Sequence, residues 1–204
     1  MHILIGSKGL AKQALPLFEE NPQVVLFDNT EGAEDYLYGH LILHDIRLVE
    51  ESIKNGEILS FTVCIGAPKW RKHFYELLSK MNAIPSNMIS NMSSISNHSN
   101  IGEGNLILDY TLIEADSKIG NGNLINSYAG IFHDSEIGDY NEIMPGVKIL
   151  GTVKIGNRCR IGTGASVLPG IKICDDVIIG AGAVVNRDII EPGTYVGVPA
   201  KRLR

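Results

Sequence analysis

From Ile89 onward a large apolar residue recurs at every sixth position: Ile95, Ile101, Ile107, Ile113, Ile119, Ile125, Ile131, Ile137, Ile143, Ile149, Ile155, Ile161, Val167, Ile173, Ile179 and Val185. A period of six fits neither a helix at about 3.6 nor a free-standing strand at 2, although three pleats per repeat return the same face inward. Short strands broken at regular corners satisfy it, and the β-branched side chains suit pleated positions. Four residues after a stripe position the side chain is usually compact, as at Ser93, Ser99, Thr111, Ser117, Ala129, Ser135, Val147, Val153, Cys159, Ala165, Val177 and Ala183. These predict a second inward row. Gly102, Gly120, Gly138, Gly156, Gly162 and Gly180 directly follow stripe residues, where a turning chain is expected to need positive φ. One buried Ile or Val per hexad contributes roughly 1.5 to 3 kcal/mol, while each ordered backbone residue costs roughly 1 to 2 kcal/mol. Ladders between coils and burial against neighbouring chains must supply the rest, so oligomerisation is expected.

Ahead of residue 84 the six-residue period is absent and the pattern alternates between strand and helix. His2–Ile5 reads as a short strand ending at Gly6, Leu10–Glu20 as a helix, and Val24–Phe27 as a second strand followed by Asp28. Ile46–Lys54 reads as a short helix, Phe61–Ile65 as a buried strand before Gly66, and Lys69–Met81 as an amphipathic helix carrying Trp70, Phe74, Leu77 and Leu78. A small parallel sheet with helices follows. Pro85 and the Ser/Asn-rich stretch 86–100 mark the passage into the coils. The chain therefore divides into a Rossmann-like α/β domain at 1–84 and an all-β domain with a C-terminal tail at 85–204.

At 204 residues the chain holds one large domain or two small ones, with ordinary hydrophobic (44%) and charged (20%) fractions that argue against disorder. Eighteen Lys and Arg against 23 Asp and Glu leave no basic surplus for a phosphate backbone, so nucleic acid is not an expected partner. No apolar run approaches the ~18 residues of a membrane span and the opening residues lack a leader pattern, so a cytoplasmic protein is expected. Cys64, Cys159 and Cys174 form no Cys-x-x-Cys pair and are read as reduced thiols. Cys64 and Cys159 fall at inward positions, which argues against a thiol nucleophile. Two histidines in the repeat, His98 and His133, fall short of a zinc site, and no metal is expected.

His133 occupies a non-stripe position and precedes Asp134. An outward histidine is usually just solvated, but an imidazole beside a carboxylate is also the natural general base at neutral pH. The turn Gly6-Ser7-Lys8-Gly9 lacks a full G-x-G-x-x-G and supports a dinucleotide only weakly. A phosphate at this turn with Asp28 on a ribose or uracil, and a plain tight turn with a solvated Asp, remain equally open.

The hexads resemble those of the hexapeptide-repeat family, which implies a left-handed parallel β-helix of three hexads per coil. The segments Ile131-Phe132-His133-Asp134-Ser135-Glu136-Ile137-Gly138, Pro145-Gly146, Gly151-Thr152, Ile179-Gly180-Ala181-Gly182 and Gly197-Val198-Pro199-Ala200-Lys201, with Gly6–Leu10, Phe27-Asp28-Asn29 and Ile65-Gly66, resemble the sugar acetyltransferases related to sialic-acid O-acetyltransferase. The layout is most like the bacterial UDP-4-amino-sugar N-acetyltransferases. The resemblance implies direct transfer from acetyl-CoA to an amine on a nucleotide-linked sugar, in a homotrimer with sites between subunits. It implies His133 as base, Asp134 as its partner and the Gly151 amide as oxyanion donor. Acetyl-CoA contacts fall by the same resemblance on Glu142, Thr163, Ala181 and Lys201, and sugar-nucleotide contacts on Leu10, Ala11, Lys12, Asp28, Asn29 and Gly66. Glu142 and Leu10 stand where relatives often carry histidine; Lys8 or Lys12 can supply the charge missing at the diphosphate. A hydroxyl acceptor, or a non-catalytic trimeric sugar-nucleotide binder, are the alternatives.

Overall fold

A computed structural model of the protein describes residues 1–18 and 23–203. The N-terminal region forms one sheet from β1 (His2–Ile5), β2 (Val24–Phe27), β3 (Tyr36–Leu37), β4 (His40–Leu43), β5 (Ser60–Val63) and β6 (Ile84–Pro85), in the order β3-β4-β2-β1-β5-β6. All neighbours run parallel except the β3–β4 hairpin. Helices α1 (Gly9–Ala14), α2 (Ile46–Lys54) and α3 (Pro68–Lys80) connect the strands. The helix expected over Leu10–Glu20 is shorter. It passes into a 3₁₀ turn at Leu15–Phe18, because Pro16 has no N–H to continue the ladder; Glu19 and Glu20 lie outside the described residues. Strand β5 ends two residues before the expected Ile65, and α3 starts one residue early with Pro68 in its first turn.

From Met88 the hexads wind into a three-faced parallel β-helix. Strands on one face are 18 residues apart, as in Leu106 beside Leu124, Leu124 beside Glu142, and Glu142 beside Arg160. The first face starts at Met88–Ile89, the second at Ser94–Ile95 and the third at Asn100–Ile101. The third face carries five strands and the second six, so the chain completes five coils and part of another. From Ile107 to Val185 every stripe residue is buried, together with the compact row from Thr111 to Ala183. Ile89, with no coil above it, is 40% exposed. Asn105, Asn123 and Asn141 replace compact side chains in the inner row. They form a buried ladder in which each Oδ1 accepts the backbone N–H one coil on, so the burial leaves no polar group unpaired.

The glycines that directly follow stripe residues do not have positive φ, contrary to the sequence expectation. A Cβ on Gly102 would stand 2.8 Å from the Gly120 carbonyl oxygen, and one on Gly162 would stand 2.6 Å from the Ala181 nitrogen. Those positions are glycine because the next coil leaves no room. The left-handed residue falls three places after the stripe, at Asp116, Tyr128, Asp134, Gly146, Thr152, Gly164 and Gly182 among others.

The two regions pack together through the first face. Its outward residues Met88, Leu106 and Leu124 are buried against Leu4, Ala11, Ala14, Leu26 and Cys64. The sheet of this face continues into the tail through Gly193–Val196, which pairs antiparallel with Lys201–Arg202. Among the described residues no helix is long and apolar enough to cross a membrane.

Candidate active site

Strand β1 lies between β2 and β5, and the chain leaves it first toward β2 and later returns to its other edge at β5. Such a reversal opens a crevice beyond the carboxyl ends of the strands. A cavity of 740 Å³ occupies it, bordered by the Gly6–Leu10 turn, by Asp28, Asn29 and Thr30, and by Gly66. Gly6 has φ +103°, and a Cβ there would lie 2.9 Å from the Cys64 carbonyl oxygen, so glycine is required where the two loops meet. The opposite wall is one side of α3, formed by Trp70, His73, Phe74 and Leu77. The sequence showed these residues only as an amphipathic helix; the spacing 70, 73, 74, 77 marks one face.

Asp28 is spent within the chain. Its Oδ2 accepts from the Ser7 amide at 3.0 Å and the Ser7 hydroxyl at 2.6 Å, and its Oδ1 from the Thr30 amide at 3.0 Å and the Thr30 hydroxyl at 2.7 Å. Burial alone raises the carboxyl pKa, but these four bonds outweigh it and hold the group below the usual carboxylate range. Leu10, Asn29 and Gly66 also border the cavity, whereas Ala11 is fully buried in the core and Lys12 is exposed outside the lining. The cavity thus gathers four of the six residues expected to meet a sugar nucleotide, and Ala11 can offer a ligand only its backbone.

Beneath Gly66 lies Glu142. A Cβ on Gly66 would fall 2.6 Å from Glu142 Oε1, and Glu142 Oε2 accepts from Arg160 Nε at 2.7 Å. Glu142, which the resemblance places at acetyl-CoA, has its carboxylate in this junction. Docking of the N-terminal region buries this carboxylate to 7% exposure and turns it toward Gly66 and Arg160. Fully buried Arg71 of α3 ties the same junction together, donating to the carbonyls of Val63, Ile65 and Gly122. Burial pushes its pKa down to about 10.

His133 and Asp134 sit at the corner between the second and third faces, just after the strand Gly130–Ile131. Asp134 takes the left-handed conformation at φ 58°, which turns its carboxylate beside the ring. His133 Nδ1 lies 2.8 Å from Asp134 Oδ2. A carboxylate only accepts, so Nδ1 carries the hydrogen and the Nε2 lone pair is left free. One coil on, Gly151 lies flat against the ring: a Cβ there would be 2.5 Å from His133 Cε1 and 2.6 Å from Nε2. Its own N–H finds no acceptor among the described residues, whereas the equivalent amide of His133 donates to Glu114 Oε2 at 3.1 Å. A proton acceptor and an uncommitted donor therefore flank one small space.

Thr163 and Ala181 stand in successive coils at the corner between the first and second faces, and both are exposed. Beside them Gly146, Gly164 and Gly182 have nothing within 4 Å of where a Cβ would project, which leaves open space at each glycine of this corner. Lys201 is exposed in the tail hairpin. His133 occupies the edge of the prism opposite the face that carries the N-terminal region. One copy of the chain therefore does not bring its own imidazole to its own cavity.

Residues 134–168 and 154–187 match the family described as bacterial transferase hexapeptide (six repeats). No curated protein sequence matches the chain. Similar solved structures include a histidine-to-asparagine variant of perosamine N-acetyltransferase from Caulobacter crescentus, in complex with CoA and GDP-perosamine. It is 28% identical with a TM-score of 0.90, over 100% of this chain and 96% of that one. The acetyltransferase domain of PglB from Neisseria gonorrhoeae is 26% identical with a TM-score of 0.92, over 99% of this chain and 98% of that one. WeeI from Acinetobacter baumannii is 27% identical with a TM-score of 0.90, over 100% and 99%. The repeat is matched in the coils at 134–187, and the likeness to these sugar acetyltransferases runs through both regions of the chain.

Proposed function

We propose that the protein transfers the acetyl group of acetyl-CoA to the amine of a nucleotide-linked amino sugar, in a homotrimer whose sites lie between adjacent left-handed prisms. The observation that carries this reading is the corner where His133, oriented by Asp134, lies against the free amide of Gly151. The bound CoA and GDP-perosamine of the Caulobacter enzyme support the choice of substrates. In this reading the nucleotide enters the cavity above Gly66, with Lys8 and the glycine turn toward the diphosphate and Asn29 toward the nucleoside. The corner at Thr163 and Ala181, free of side chains at its glycines, suits the extended arm of acetyl-CoA, with Lys201 toward its nucleotide end.

An ammonium has no lone pair for a thioester, so the acceptor reacts as the neutral amine, its first proton already lost to solvent. His133 Nε2 takes one further proton from the nitrogen as it bonds to the thioester carbon. The charge that develops on the carbonyl oxygen accepts from the Gly151 N–H, and Asp134 steadies the imidazolium. When the carbon–sulfur bond breaks, the CoA thiolate takes the proton from His133, which restores the neutral ring.

Acetyl-CoA and a panel of nucleotide 4-amino sugars test the reading: thiol release should accompany a product heavier by one acetyl group. His133→Ala should cut release to a small residual rate and leave the oligomer and its melting temperature unchanged. An alanine variant as active as wild type would remove the mechanism. Co-refolding His133→Ala with a variant blocked in the cavity should restore activity, because a mixed trimer contains one junction with both intact halves.

A further inference from the structure

The cavity bordered by β1, β2 and β5 has a polar side and a flat apolar side, and the carboxylate of the polar side has no acceptor capacity left for a base. Asp28, the acidic group there, has two hydrogens on each oxygen, which fills the acceptor capacity of a carboxylate. The apolar side is a train of rings. Trp70 meets His73 edge to face at 5.7 Å and 87°, His73 meets Phe74 at 5.1 Å, and Phe74 meets Phe27 at 5.9 Å. Phe27 and Phe74 belong to the apolar core below, but Trp70 belongs to none of the three apolar clusters and remains 49% exposed. Helix α3 is held to the protein through Arg71, Tyr75 and Leu78 on its adjoining side, so the indole is not needed for docking. Its contact with His73 is perpendicular, so that ring is not stacked on it, and Lys69 Nζ lies over the indole at 5.6 Å from its centroid, on a flexible exposed stem.

The geometry points to Trp70 as the stacking platform for the nucleobase of a bound nucleoside diphosphate, with Asp28 a positioning residue that shapes the Ser7 and Thr30 loops. This rests on the nucleotide-sugar reading of the cavity. A half-exposed ring at the mouth of an apolar pocket gains burial and π contact from any flat base, and stacking accepts purines and pyrimidines alike.

Trp70 is the sole tryptophan, so its emission reports on this position alone. The full-length protein is titrated with UDP, GDP and dTDP by calorimetry and by tryptophan fluorescence. A nucleotide that gives binding heat should quench the emission. Trp70→Ala should weaken its Kd by about tenfold, the scale of losing one base-stacking contact, while Trp70→Phe retains most of the affinity. The KM for acetyl-CoA should be the same in all three proteins. Binding heat with unquenched emission and unchanged affinity in Trp70→Ala would overturn the platform and leave the nucleotide reading standing. Absence of heat from all three nucleotides would remove both.

Discussion

Gly151→Ala separates the position of the imidazole from every other element of the proposed chemistry. Gly151 does not adopt positive φ, so alanine is accepted by the backbone, and the amide that would hold the oxyanion is kept. What changes is one methyl group, placed 2.5 Å from His133 Cε1 and 2.6 Å from Nε2. Ordinary contact between such atoms is about 3.5 Å, so the ring must retreat by about 1 Å. The His133 side chain is 61% exposed and can make that move without disturbing the core. Its bond to Asp134 is a surface pair worth about 0 to 1 kcal/mol, so the melting temperature should fall by no more than about 4 °C. A displacement of about 1 Å in a reacting group costs on the order of 10²-fold in rate, so kcat should drop by that factor with both KM values nearly constant. Steady-state thiol release and a thermal melt measure the two quantities. The double variant Gly151→Ala with His133→Ala should be no slower than His133→Ala alone, because the methyl acts only through the ring. A Gly151→Ala enzyme with wild-type kcat, or a double variant slower than its histidine parent, would refute the reasoning.

Gly66→Ala should destabilise the protein, because its methyl meets a Glu142 carboxylate that Arg160 holds in place. Glu142→Ala should relieve the clash, and denaturant unfolding of the double-mutant cycle should return a coupling of about 0.5 to 3 kcal/mol. Asp28 has a depressed carboxyl pKa when folded, so its stabilisation is complete above the unfolded value of about 4 and is lost as pH falls through the folded value. Melts across acid pH should show this decline in the wild type and a flatter profile in Asp28→Asn; parallel curves would contradict the four-bond arrangement. Burial pushes the thiols of Cys64 and Cys159 up to about 12, while Cys174 is only partly buried. An aromatic disulfide reagent should therefore label one thiol per native chain near neutral pH and three after unfolding, and faster labelling of Cys64 or Cys159 would contradict their burial.

The coils were readable because each face must present the same residue type every 18 positions, which a linear sequence displays openly. In the N-terminal region His2–Ile5, Val24–Phe27 and Ile46–Lys54 are where the pattern puts them, since each is apolar or amphipathic over its whole length. The hairpin of Tyr36–Leu37 and His40–Leu43 was missed. Its turn rests on Tyr38 at φ 50° and Gly39 at φ 85°, and its solvent-facing positions carry Tyr36 and Leu41, so no polar residue marks the exposed side of the strands. The repeat glycines stand out in the linear pattern, but their constraint comes from the coil 18 residues away and not from local dihedral angles. By that same register Gly151 lies directly after His133 in space, so the close approach at the candidate base could have been found by arithmetic.

What the linear pattern does not contain is the docking of the two regions. Glu142 reads as an outward residue on a strand, and only the burial of Met88, Leu106 and Leu124 on the same face shows that outward here means beneath another domain. The signal was present as apolar residues at outward positions, where the third face carries Lys118, Lys154 and Lys172. This docking also constrains the chemistry. The interior of the β-helix is filled by the stripe and the compact row, and the backbone of its faces is committed to ladders, so reactive groups find room at the corners. A large ligand must then be gripped by whatever leans against a corner. The N-terminal region leans on the first face, opposite the edge that carries His133, so on the proposed reading a second copy must bring its edge to the cavity. Assembly would then be a condition of catalysis itself, and the apolar first face serves both ends: it buries the outer row of the coils and fixes the distance between the nucleotide cavity and the seam.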